Sequence, residues 1–145
     1  MKFGNNMLKG MILACSLIVL TPIQAHAFGT WTESTCNADK GGTIKTLGGD
    51  SFCTSKSSMN WWSAYTWCQA IGGRMPTINE LCPTVNSLTT GSGCGRNYSS
   101  SGDIWTTTPV SAGSANCWVV GSRGTTLYNG LGRSATSGWA YCVKD

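Results

Sequence analysis

The chain reads as an α+β domain with a small antiparallel sheet, stapled by disulfides, and three observations predict this. Two short helical segments sit side by side between residues 60 and 82, β-like runs flank them on both sides, and seven cysteines lie beyond residue 27. Strands grouped apart from helices, rather than alternating with them, favour antiparallel pairing over a parallel sheet.

Residues 1–27 stand outside that domain. Lys2 and Lys9 give a positive start, Met11 to Leu20 is an apolar run, and Ala25-His26-Ala27 fits a small-x-small cleavage site. A signal peptide is therefore expected, with a mature chain beginning near Phe28 that is secreted, periplasmic or on the cell surface. The apolar run is shorter than a bilayer demands and is closed by Thr21-Pro22, so no membrane span is expected in the mature chain. Cys15 precedes the better cleavage site, which argues against lipid attachment there.

Of the 145 residues, 118 remain after residue 27, enough for one domain. Removing Lys2 and Lys9 lowers the basic count from 10 to 8 against 6 acids, a mature charge of about +2. With no basic cluster, the electrostatic footprint of a nucleic-acid binder is missing. The single histidine, His26, belongs to the expected signal. The mature cysteines are Cys36, Cys53, Cys68, Cys82, Cys94, Cys117 and Cys142. Such density in an exported chain reads as a disulfide framework, and the spacings lack the paired C-x-x-C ligands of a zinc site. An odd count leaves one thiol over.

Residues 28–58 are rich in Gly, Ser and Thr, with β-prone pieces at 43–47 and 51–54 separated by Gly-Gly pairs, which predicts a hairpin leading into a strand. Asn60 is a suitable N-cap for a helix from Trp61 to Ile71, where Trp61, Ala64, Tyr65, Cys68 and Ile71 share one face. Gly72 can supply the left-handed residue that ends it. Thr77 and Glu80 form a capping box for a second helix, which Pro83 limits. Residues 83–103 make a long polar loop, of the kind that is usually functional or mobile. Four β-like runs follow, at 104–108, 116–120, 125–128 and 139–143, with turns expected at Ser122-Arg123-Gly124 and Asn129-Gly130.

These residues carry a resemblance. Trp61-x-x-Ala64-x-x-x-Cys68, then Gly73-Arg74-Met75-Pro76-Thr77-x-x-Glu80-Leu81, Trp105-Thr-Thr-Thr-Pro109 and Tyr141-Cys142-Val143 resemble a C-type-lectin-like domain of the short bacterial exported branch, over about residues 50–145. The resemblance implies two helices packed on a small antiparallel sheet with the chain ends together. It also implies a Cys68–Cys142 bridge and a Cys36–Cys53 staple in the N-terminal hairpin. The family's second inner bridge needs two cysteines after the Trp-Thr-Thr-Thr-Pro run, and only Cys117 lies there before Cys142. Of the remaining three, Cys82–Cys94 is the short closure across the long loop and leaves Cys117 free; Cys94–Cys117 with Cys82 free is the alternative.

The family's calcium-dependent sugar binders carry Glu-Pro-Asn or Gln-Pro-Asp and Trp-Asn-Asp triplets, and none occurs here. The mature acids are scattered along the chain, whereas calcium needs clustered oxygen ligands, so no metal and no cofactor are expected. A nucleophile would lack its usual histidine partner. The fold hosts much larger formylglycine-forming oxidases, whose active-site cysteine pair is not matched to positions here, so an oxidase relative is the least favoured reading and no enzyme is expected. The expected function is a calcium-independent binding or adhesion-type module for a glycan or protein ligand. The alternative is a structural component of a surface or envelope assembly. Trp118, Arg123, Tyr128, Asn129, Arg133 and Trp139 are the candidate ligand-binding residues, offering flat rings and hydrogen-bond donors. Against this, two of Trp105, Trp118 and Trp139 are expected in the core, and Arg123, Asn129 and Arg133 are expected as solvated turn residues.

Overall fold

A computed structural model describes residues 28–36, 41–98, 102–114, 116–121 and 126–145. The expected signal peptide and the expected turn carrying Arg123 lie outside these residues. The element order is α1 (Glu33–Cys36), β1 (Gly42–Leu47), β2 (Asp50–Ser55), α2 (Trp61–Ala70), α3 (Ile78–Leu81), β3 (Ile104–Pro109), β4 (Asn116–Val120), β5 (Leu127–Gly132) and β6 (Tyr141–Cys142). This is an α+β chain with little helix. The short α1, in a region read only as hairpin and strand, was not expected.

The strands form two antiparallel three-stranded sheets, ordered β1-β2-β6 and β3-β4-β5, instead of the single sheet expected. A parallel bridge from Ile104 of β3 to Trp139, two residues before β6, connects one sheet to the segment that enters the other. The Asn129-Gly130 pair, expected to turn a hairpin, lies inside β5. Cys117 faces Leu131 and Val119 faces Tyr128, so Trp118 alone opposes both Asn129 and Gly130. That is a β-bulge: the extra residue is absorbed within the strand and the chain runs on to Gly132. The turn comes there, with the Ala135 amide donating to the Gly132 carbonyl at 2.9 Å. The chain beyond it then reaches β2 in the other sheet, where β6 pairs.

The alternation of strand side chains deals residues to two cores. Cys53, Trp105, Cys117, Val119 and Cys142 enter a cluster with Trp61, Ala64, Cys68 and Ile71 of α2 and its C-cap. Their neighbours Phe52, Ile104, Trp118, Val120, Tyr141 and Val143 enter a second cluster with Ile78 and Leu81 of α3. Strands covered on both faces need apolar residues at successive positions. This gives the Cys117-Trp118-Val119-Val120 run its physical reason.

The helix ends follow their sequence signals. The Asn60 Oδ1 accepts from the Ser63 amide at 2.8 Å, and Gly72 sits at φ 86° just beyond the Ile71 C-cap. Glu80 and Thr77 form the reciprocal capping box on α3. The Trp-Thr-Thr-Thr-Pro strand is irregular where it meets that helix. Trp105 faces Val119 and Pro109 faces Cys117, so three β3 residues span one β4 residue. The excess is used: Thr107 donates its amide to the Pro76 carbonyl at 2.9 Å, and the Thr108 hydroxyl accepts from the Ile78 amide at 2.9 Å.

Three disulfides join Cys36 to Cys53, Cys68 to Cys142, and Cys82 to Cys94, and Cys117 is a buried free thiol. Cys53 and Cys142 face each other across β2 and β6, so the first two bridges meet on one rung of the sheet. The ends of the described domain also meet, where the Gly29 amide donates to the Lys144 carbonyl at 2.7 Å.

The 83–103 loop contains no helix or strand among its described residues, but it is tied down at several points. Cys94 and Tyr98 are fully buried, Gly91 and Ser92 exchange backbone hydrogen bonds with Leu127, and Arg96 pairs with Asp50 at 2.6 Å. Tyr98 donates its hydroxyl to the Leu81 carbonyl and packs edge-on against Phe52 and Tyr141. Burial pushes its phenol from 10 up to about 12, although the nearby Arg96 pulls the other way.

A pH dependence follows. The folded-state value lies above the unfolded one, so this contribution is complete below pH 10 and is lost as pH rises toward 12. The full shift corresponds to about 3 kcal/mol. Denaturant titrations of the wild type should show stability falling steeply over that alkaline range. Tyr98→Phe should flatten the fall while costing about 1 kcal/mol near neutrality for the lost hydrogen bond. An unchanged alkaline slope in Tyr98→Phe would place the titrating group elsewhere.

Candidate functional site

Three segments converge beside the N-terminus of α2. The turn after β5 contributes Arg133 and Ser134, the β3–β4 connection and the start of β4 contribute Ser114 and Asn116, and the first turn of α2 contributes Trp62. Between them lies an open groove of about 410 Å³. The sheet holds two of these segments together, because Asn116 faces Gly132 in the β4–β5 register. Helix α2 is fixed to them by its first amide: Trp61 donates to the Arg133 carbonyl at 3.0 Å.

Trp62 is 57% exposed, and it is the exposed large hydrophobic side chain among the described residues. Its ring meets Trp61 edge-on at 4.8 Å between centroids. Trp61 is buried, stacks with Tyr65 at 5.1 Å, and donates its indole N–H to the Thr106 carbonyl at 2.8 Å. The Arg133 guanidinium lies 4.6 Å from the Trp61 ring and 5.6 Å from the Trp62 ring, in cation–π range of both. Its Nε donates to the Cys117 Sγ at 3.2 Å. Arg133 is thus half-buried and held in place, which corrects its expectation as a solvated turn residue; the neighbouring aromatic face is what draws it in.

Of the other candidate residues, Trp118 and Trp139 do not line this groove. Trp118 is buried at 5% exposure in the second core and is withdrawn as a ligand contact, because both faces of β4 are covered. Trp139 is half-buried against the same core, with its backbone bonded to Asp103 and Trp105. Two of the three tryptophans, Trp105 and Trp118, are buried. Tyr128 and Asn129 contribute backbone to β5, and their side chains, like all of Arg123, lie outside the described residues. Trp62 escaped the sequence reading although it left a signal. A tryptophan beside the Trp61/Ala64/Cys68 stripe, but not on it, has no core to enter.

A second polar cluster lies at the corner between α2 and α3. Arg74 makes a bidentate pair with Glu80, at 2.9 and 2.7 Å, and reaches Asp145 at 2.7 Å. Partial burial pushes the Glu80 carboxyl up, but hydrogen bonds from Arg74 and Thr77 together hold it below the usual carboxylate range. Its acceptors are occupied by the helix cap and the guanidinium, so this cluster ties the corner to the chain end. Among the described residues, no three His, Cys, Asp or Glu side chains gather where a metal ion could be held. No described helix is long and apolar enough to cross a membrane.

Comparison with protein-family models, with curated proteins and with solved structures finds no match to this chain. The class of protein is therefore defined by the fold alone: a disulfide-stapled α+β domain of two small antiparallel sheets.

Proposed function

We propose that this chain is an exported binding module of C-type-lectin-like architecture, which engages a glycan without calcium through the Trp62–Arg133 groove. The exposure of Trp62 beside a fixed arginine carries the reading. An indole left in solvent offers an apolar plate for the C–H face of a sugar ring, and large side chains of this kind are normally retained in the interior. Ser114, Asn116 and Ser134 add hydroxyl and amide groups around the plate. The C-type-lectin-like assignment is supported by the α2-to-β6 bridge and the paired chain ends, both implied by the motif order. Carboxylate clusters being what calcium requires, the reading is calcium-independent. It involves no catalytic step.

A glycan array probed with and without chelator tests this. Binding should persist with chelator and fall by about five- to a hundredfold or more in Trp62→Ala, as an aromatic stacking contact of about 1–3 kcal/mol implies. The melting behaviour of Trp62→Ala should stay close to wild type, since the ring is on the surface. Chelator-sensitive binding would overturn the calcium-independent reading. Array silence combined with retention of an envelope partner would favour a structural component instead.

A further inference from the structure

Resting on that reading of the groove, we infer that its ligand is an acidic saccharide whose ring carboxylate is received by Arg133. Three features of the arginine support this. Its Nε is engaged by the Cys117 Sγ at 3.2 Å, which fixes the rotation of the guanidinium and leaves the Nη1/Nη2 end of the fork for a ligand. Its Cζ lies over the Trp61 ring, 4.6 Å from the centroid, which anchors the guanidinium against that aromatic face. Among the described residues it has no carboxylate partner, whereas Arg74 and Arg96 are paired with acids. A planar fork held in position, with no internal anion, matches a carboxylate bidentately.

The surroundings agree in charge and size. None of the described residues lining the groove is acidic, so no described lining residue repels an incoming anion or competes for the guanidinium. The neutral Ser114, Asn116 and Ser134 suit hydroxyls, while Trp62 supplies the plate for the ring that bears the carboxylate. A volume of about 410 Å³ lies at the lower end of ordinary ligand sites and suits a short saccharide segment. Because the arginine is partly exposed, the interaction is salt-sensitive.

Calorimetric titration with two matched pairs tests the inference: trigalacturonate against its methyl ester, and sialyllactose against its methyl ester. The pairs distinguish a uronate from a sialate as the source of the carboxylate. At least one acid should bind about ten- to a hundredfold more tightly than its neutral counterpart, the range of a hydrogen bond to a charged group. The preference should shrink with added salt. Arg133→Gln should abolish it, and Arg133→Lys, which keeps charge without the fork, should keep only part of it. The two ester arms use the wild-type protein, so they remain decisive if Arg133→Gln fails to fold. Equal binding of acid and neutral partner in both pairs overturns the carboxylate inference and leaves the glycan-binding groove standing. Binding of none of the four overturns the inference, and the array with Trp62→Ala then decides whether the groove reading falls as well.

Discussion

Replacing Cys68 and Cys142 by alanine should bring the domain close to unfolding. The bridge spans 74 residues of sequence, the longest closure among the three disulfides. In the chain-entropy treatment a loop of that length stabilises by about 4.5 kcal/mol. Small domains have only about 5–15 kcal/mol in total, so the loss takes a large share of the margin. Packing adds to it, because both cysteines are fully buried in the cluster that contains Trp61, Met75 and Trp105. The bridge is also the covalent tie between α2 and the two-residue β6, whose ladder contact is with β2 alone. Denaturant melts of Cys68→Ala/Cys142→Ala should therefore show a much larger loss than melts of Cys82→Ala/Cys94→Ala, whose closure is only 12 residues. Equal losses in the two double variants would show that packing at the bridge, and not closure of the long loop, dominates.

The second large effect is expected at Trp105. The side chain is fully buried, and its indole N–H donates to the Met59 carbonyl at 2.8 Å. Its backbone amide donates to the Trp139 carbonyl at 3.0 Å, within the contact that connects β3 to the segment entering the other sheet. Trp105→Ala should cost about 4 kcal/mol, from the lost transfer free energy and the cavity left behind. Trp105→Phe should be milder, leaving a smaller void but the same unpaired carbonyl. Gly138 gives an independent check. A Cβ there would stand 2.2 Å from the Trp105 Nε1, so Gly138→Ala must displace the indole. It should cost about 1–3 kcal/mol alone as overpacking. Combined with Trp105→Phe, which vacates part of that space, the two losses should add to less than their sum. Strict additivity would mean that the glycine is required for its backbone and not for the indole's approach.

Local chemistry was legible in the residues. The Asn60 cap, the Thr77/Glu80 box and the left-handed Gly72 are set by side chains within a few positions of the backbone they serve, and the structure has them at those positions. The paired cysteines followed from the resemblance and from the short closure at 82–94, whereas spacing alone left several pairings open. The β-like runs were visible too, because β-branched and aromatic residues crowd there.

Long-range partners were not legible. Asn129-Gly130 carries the local signature of a hairpin turn, but pairing with β4 on both sides of it makes it a bulge. Trp118 stood both among the candidate ligand contacts and among the tryptophans of which two were expected in the core, and the covering of both faces of β4 sent it inward. Arg133 reads as a turn residue until the chain brings Trp61, Trp62 and Cys117 around it, from positions 16 to 72 residues away. By itself the sequence determined the α+β class, the helix ends and the strand-forming runs, since each depends on neighbours along the chain. The division into two sheets, the second core face and the groove depend on which distant segments meet, and only the tertiary structure decided those.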